Sequence, residues 1–548
     1  MKTRSLRRSA IAYGVFVAVL VLLWIMANVM VDRVGWDELS YHHPAIRMMT
    51  QGWNPVWGGT ADGIRDFLGF HHSASYHVMV MPKSVWYYSA AAWFFTRASF
   101  ALTSTLTPLL FFGLAVSLFS IFREVRPWIR VLVIILMYGL VVSKEYAVDA
   151  AVAMGAVGLL AAMYDYIVHG RWNFLRLAVF TFWMATSKQI ALMQCCIFWT
   201  VFTAICLLPK WRRPFWKGAL PVGLVSFALF TVASVSPYVC VCAKYGHPLY
   251  PKYTCDEKRF PSYNLTWDFL VRNDDAAAMG RFGAWANAFA SSDLIRLYYR
   301  KKLGTRRFVP EVKSWSQCYP DHSEGSPTTV RFRLVFCVGF LSLLVLGGIG
   351  GRFTTVCIFL GTVLLPAEMI GYVRYSPWIF ELFALGALMA SERWKGRLDW
   401  LIALSGMILL TANAPHFILN RAEKIDAAYG LRYALRTHPP KVMVPEMWGA
   451  FFPDNAWLLK RQVPELSDAQ LLPDPSAPQQ GKAPVRGELG ELNVFFGGAF
   501  KVPSNSCPVC YSDFHAGAEF PSKKMFVLKS FLVTLPANVW NALNIIQK

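Results

Sequence analysis

The chain has 548 residues, 55% of them hydrophobic, with 54 Lys and Arg against 33 Asp and Glu for a formal charge of +21. That apolar content exceeds what one soluble domain needs and suits a polytopic membrane protein with sizeable aqueous loops. The charge does not call for nucleic acid as a partner. Many of the cations sit in short turns between apolar segments, where they set orientation and contact the anionic headgroups of a lipid bilayer.

The first apolar run, about residues 10–31, follows Arg4, Arg7 and Arg8. It is long enough to cross a bilayer, too long for a signal-peptide core, and lacks an Ala-x-Ala type of cleavage site at its end. The positive-inside rule therefore puts the N-terminus in the cytoplasm and residues 32–97 outside. Further apolar segments recur near 98–121, 128–143, 147–163, 174–187, 189–208, 219–239, 331–349, 353–373, 376–390 and 399–413.

Three junctions are decided by charge. The stretch 174–208 reads either as one helix or as two spans broken at Ser187-Lys188-Gln189. Basic residues flank both sides (His169, Arg171 and Arg176 before; Lys210, Arg212, Arg213 and Lys217 after), so the chain must cross twice and Lys188 lies outside. The same parity turns the chain outside at Lys144-Glu145 and at Arg374, with Arg352 on the cytoplasmic side.

The expected fold is an all-α polytopic membrane protein of about eleven spans, with a transmembrane domain over 1–413. External loops cover 32–97 and 240–330, and 414–548 forms a small mixed α/β extracytoplasmic domain. A Pro/Gly/Gln-rich stretch from Pro473 to Pro484 reads as a flexible loop within that tail.

Eleven cysteines are scattered along the chain. Cys195, Cys196 and Cys206 lie in apolar segments and read as packing residues. Cys240, Cys242, Cys255 and Cys318 fall in an external loop where disulfides are permitted, without a connectivity the sequence can assign. Cys507-Pro-Val-Cys510 with His515 is half a zinc site, and a local disulfide or packed thiols is its default reading.

Parity gathers Asp37, Glu38, Lys83, Lys144, Glu145, Asp149, Lys188 and Arg374 at one membrane face. Mixed charges at span ends suggest a polar cavity. Carboxylates can deprotonate a hydroxyl or hold a divalent ion, and cations can hold a phosphate. In a helical reading Asp37 shares a face with Tyr41, and Glu38 with His42. His42 thus either orients Glu38 or is an interfacial histidine, the second being the default.

Four places resemble the GT-C superfamily, polytopic glycosyltransferases that use polyprenyl- or dolichyl-phosphate sugars. They are Trp36-Asp37-Glu38 with Tyr41-His42; Met81-Pro82-Lys83 before Trp86-Tyr87-Tyr88; Glu145-Tyr146-Ala147-Val148-Asp149; and Tyr245-Gly246-His247-Pro248-Leu249-Tyr250-Pro251. Thr186-Ser187-Lys188 and Arg374-Tyr375 are similar to family positions less specifically. His247 stands where Asn is usual, and Met81 where Tyr is.

The resemblance implies inverting sugar transfer outside the cytoplasm, with Asp37 as general base. It implies that Glu38 and Asp149 position the sugar, the base or a metal ion (Mg or Mn). Lys83, Lys188 and Arg374 would neutralise the departing polyprenyl phosphate, and Tyr41, His42 and His247 would contact substrate. The acceptor would be a glycan, lipid or protein of the envelope. A transporter or flippase of lipid-linked saccharides, and a non-catalytic scaffold, are the rivals. Functional charges at span ends rather than the midplane disfavour transport.

Overall fold

The computed structural model describes residues 13–19, 42–56, 58–68, 78–79, 81–96, 106–142, 147–208, 239–240, 242–243, 282, 285, 339, 342, 344–365, 378, 381–407, 442–445 and 471–474. Two short helices, α1 (His43–Thr50) and α2 (Ala61–Leu68), precede α3 (Ser84–Thr96). Then come α4 (Leu106–Ile121), α5 (Pro127–Val142), α6 (Ala147–His169), α7 (Phe174–Ser187), α8 (Gln189–Cys206), α9 (Gly348–Val363) and α10 (Leu382–Arg393). Beyond them, Val442–Pro445 pairs in parallel with Leu471–Asp474, in the register Val442 to Leu471. Apart from that pair the described residues are helices and the turns between them.

Helix α6 is the axis of the bundle. Its sequence, AVDAAVAMGAVGLLAAMYDYIVH, is apolar on every side, the pattern of a helix surrounded by others. Helices α3, α4, α5, α7, α8, α9 and α10 all pack against it. Small residues let α7 approach closely. A Cβ placed on Gly155 would meet Met184 N at 2.8 Å, and one on Gly158 would meet the Phe180 ring at 2.3 Å.

The break between α7 and α8 falls on one residue. Asn173 caps α7 by accepting from Arg176 N, and α7 ends at Ser187. Lys188 alone is extended, with φ −151 and ψ 143, and α8 begins at Gln189. Trp199 Nε1 donates to Thr181 Oγ1 at 2.9 Å, and Cys195 Sγ lies 4.0 Å from Thr181 O. Thr181 and Cys195 are equidistant in sequence from Lys188, so the chain folds back there as a helical hairpin.

Three boundaries differ from the expectation, one of them at Pro473 and Asp474, which pair as strand instead of opening the expected loop. Helix α6 continues past residue 163 to His169, carrying Tyr164 and Asp165 inside the helix. The turn expected near Arg352 instead falls at Gly347-Gly348, where Gly348 has φ +61, and α9 runs unbroken through Arg352. Gly350 is a packing residue rather than a breaker: a Cβ there would lie 2.2 Å from the Tyr164 ring.

Two of the described helices are long and apolar enough to cross a membrane, Val148–His169 and Gln189–Cys206, each with a mean hydropathy of 1.7. Leu109–Ile121, Pro127–Tyr138, Phe174–Ser187 and Gly348–Val363 are apolar but shorter. The described bundle therefore carries fewer full-length spans than the eleven expected.

Candidate functional site

Three helix ends meet where α6 begins. Lys83 precedes α3, its carbonyl accepting from Tyr87 N at 3.0 Å. Asp149 stands in the first turn of α6, where the helix dipole favours a carboxylate. Lys188 is the junction of α7 and α8. Ser84 Oγ ties the first to the third by donating to Thr186 O at 2.7 Å. Val85 packs with Val148 and Ala151 and closes the first against the second.

The structure brings Asp149 and Lys188 into direct contact. Lys188 Nζ donates to Asp149 Oδ1 at 2.7 Å, with both residues buried. Lys83 is 0% exposed. Its ammonium donates to Met81 O at 2.7 Å and Met79 O at 3.1 Å, and lies 5.4 Å from the centroid of the Trp86 ring. Among the described residues no carboxylate pairs with it. Burial pushes the Lys83 amine down to about 7, with the Cys240 thiol acting weakly the other way.

His42 is buried within the described bundle. Trp86 Nε1 donates to His42 Nδ1 at 2.6 Å, with the rings edge to face. An indole N–H can only donate, so Nδ1 is the acceptor nitrogen and a neutral ring carries its proton on Nε2. Trp86 thus touches both His42 and Lys83. Ser84 and Trp86 were not expected as site residues. The signal for Ser84 was only adjacency to Lys83, while Trp86 stood in a segment already noted for its resemblance.

Asp37, Glu38, Tyr41, His247 and Arg374, with Lys144 and Glu145, lie outside the described residues. Cys240 and Cys242 are free thiols, and Cys240 Sγ lies 3.9 Å from Val56 O. Among the described residues no three His, Cys, Asp or Glu side chains group as metal ligands. The acid of this cluster already faces an ammonium, so the described donors do not fit a divalent ion and no step is derived through one. Lys83 and Lys188 are both buried, the first donating to two carbonyls and the second to Asp149.

The far end of α6 is charged differently, in a way that little in the local sequence signals. Asp165 Oδ1 accepts from Arg171 Nε at 2.7 Å and pairs with His169 Nδ1 at 2.9 Å, while Arg176 lies 3.6 Å from Oδ2. Tyr164 OH donates to Glu392 Oε2 at 2.8 Å, and His169 Nε2 lies 3.4 Å from Glu392 Oε1. Arg171 also donates to Ile121 O at 2.8 Å, and Arg176 to Ser120 Oγ at 2.7 Å. Four helices are clamped by these contacts. The basic residues had been read as a flank that sets orientation. The Asp165–His169 spacing of one helical turn was the available sign.

No family model, curated protein or solved structure matches this chain.

Proposed function

We propose that this chain is an integral membrane glycosyltransferase of GT-C type. It moves a sugar from a polyprenyl-phosphate donor to an acceptor hydroxyl on an envelope glycan, lipid or protein at the outer face of the plasma membrane. The reading joins the four resembling motifs to one observation. Lys83, Asp149, Lys188 and His42, far apart in sequence, converge at one end of the bundle in a buried setting. In this reading the chain crosses about eleven times, and residues 414–548 form a domain on the same outer side.

Asp37 takes the acceptor proton as the acceptor oxygen attacks the anomeric carbon from the face opposite the phosphate. The bond from the anomeric carbon to the phosphate oxygen breaks, and the electron pair leaves with the polyprenyl phosphate. Lys83 and Lys188, with Arg374, meet that charge. Donors already fixed in a water-poor pocket stabilise it without reorganising. Asp149 holds the Lys188 ammonium at the hairpin turn, and Trp86 holds His42 and walls the Lys83 amine. Glu38, Tyr41 and His247 complete the contacts to sugar and acceptor.

The test is transfer by the reconstituted protein and its Asp37→Ala and Lys188→Gln variants, with mass spectrometry of envelope glycans from cells making each. Asp37→Ala is expected to abolish addition of one defined sugar. Lys188→Gln is expected to slow it by about 10²–10³-fold, the loss typical of one charge-stabilising donor. Unchanged glycans in cells lacking the protein, or full activity of Asp37→Ala, would overturn the reading.

A further inference from the structure

Beyond the far end of α6, two turns lie edge to edge. One joins α4 to α5 at residues 122–126, and the other follows α10 at 394–398. They are joined by Arg126, whose Nε lies 3.5 Å from Asp399 Oδ2. Asp399 is fully buried and also accepts from Ser391 Oγ at 2.6 Å. Gly396, at φ +78, makes this approach possible, since a Cβ there would lie 3.0 Å from Asp399 Oδ2 and 3.1 Å from Arg126 Nε.

With that acid taken up internally, the exposed charge is one-sided. Arg123, Arg126, Arg393, Lys395 and Arg397 are exposed, against the exposed carboxylate of Glu124 beside Arg123. Lys395 even adopts φ +49, the left-handed region where glycine or asparagine is usual.

Indoles border the cations. Trp128, Trp394 and Trp400 are 40%, 40% and 78% exposed, and the rings of Trp128 and Trp400 lie 5.8 Å apart. From Trp400 an exposed apolar stripe continues along the helical stretch 399–407 through Leu401, Leu404 and Met407. Cations, then indoles, then aliphatic side chains is the order met from headgroup to acyl chain at a membrane surface.

We propose that these two turns form a binding site for anionic phospholipid, with Arg123, Lys395 and Arg397 holding the headgroup phosphates and the indoles seated at the acyl boundary. The aliphatic stripe beside the cations favours lipid over a soluble anion. The inference rests on the membrane reading and is independent of sugar transfer. Arg126 is committed to Asp399 and is left out of the test.

The full chain is reconstituted in nanodiscs of phosphatidylcholine with a minority of phosphatidylglycerol, and the lipid retained after extraction is measured by native mass spectrometry. Phosphatidylglycerol is expected to be enriched severalfold over its bulk share. The variant R123Q/K395Q/R397Q, lacking three cations each worth up to about fivefold, is expected to retain phosphatidylglycerol at close to its bulk share. Retention at the bulk ratio by the wild type, or unchanged enrichment in the variant, overturns the proposal. So does a stable dimer that leaves the retained lipid at the bulk ratio, since a second copy would then cover the patch. A chain that fails to insert into nanodiscs at all sinks the membrane reading itself. A variant that inserts and melts as the wild type does shows that its lipid loss is not misfolding.

Discussion

The two ends of α6 treat charge in opposite ways. Asp149 and Asp165 are sixteen residues apart on one helix, about 24 Å along its axis. Around Asp165, two carboxylates share His169, Arg171, Arg176 and the Tyr164 hydroxyl, and the cations reach on to carbonyl and hydroxyl oxygens of α4. Around Asp149, one carboxylate meets Lys188, while Lys83 lies buried with two carbonyls and a ring for company. Opposite charges joined by several hydrogen bonds hold helices together. A buried amine without a carboxylate opposes folding unless something else uses it. The difference marks the Asp165 end as the clamp of the bundle, and it is the Asp149 end, where no described carboxylate pairs with Lys83, that the proposed function uses.

The sharpest way to break that contrast is to remove one acid from the clamp. Asp165→Asn leaves three cations around a neutral amide and is expected to cost about 3–5 kcal/mol, read as a large fall in melting temperature. A loss near zero would erase the distinction drawn here.

Lys83 tests the other end through pH. Its amine titrates near 7 in the fold and near 10.5 when unfolded, so the unfolded chain binds a proton that the fold does not between those values. Stability from this group therefore rises with pH from about 7 to 10.5, and the burial penalty is full below 7. Lys83→Met is expected to melt higher than wild type at pH 6. The gap should close by a few kcal/mol toward pH 10. Parallel pH profiles for the two proteins would contradict this.

The smallest expected effect is Ser84→Ala. It removes one hydroxyl donor to Thr186 O and is expected to lower stability by about 1 kcal/mol. In the proposed enzyme it should reduce transfer more than that loss of stability alone predicts, because the same contact holds Lys83 beside Lys188. Equal and minor effects on both readouts would leave it a plain structural bond.

Much of this arrangement could be read from charge and hydropathy. The hairpin at Lys188 followed from basic flanks on both sides of 174–208, because a chain that starts and ends on one side must turn between. The nearness of positions 83, 149 and 188 followed from the same counting. What the sequence hid was contact between distant segments. Nothing local distinguishes Asp165 as a hub, since Glu392 and Ser120 reach it or its partners only through folding. Gly350 shows the same dependence on distant contacts. Its missing side chain makes room for Tyr164, 186 positions away. The contact of His42 with Trp86, forty-four positions away, was equally hidden.

The single extended residue between α7 and α8 has one more implication. With no slack on either side of Lys188, inserting a residue there would swing the following helix by about 100°. It would draw Trp199 off Thr181 and the amine off Asp149 in the same movement. The spacing of this joint is thus as constrained as the identity of the lysine.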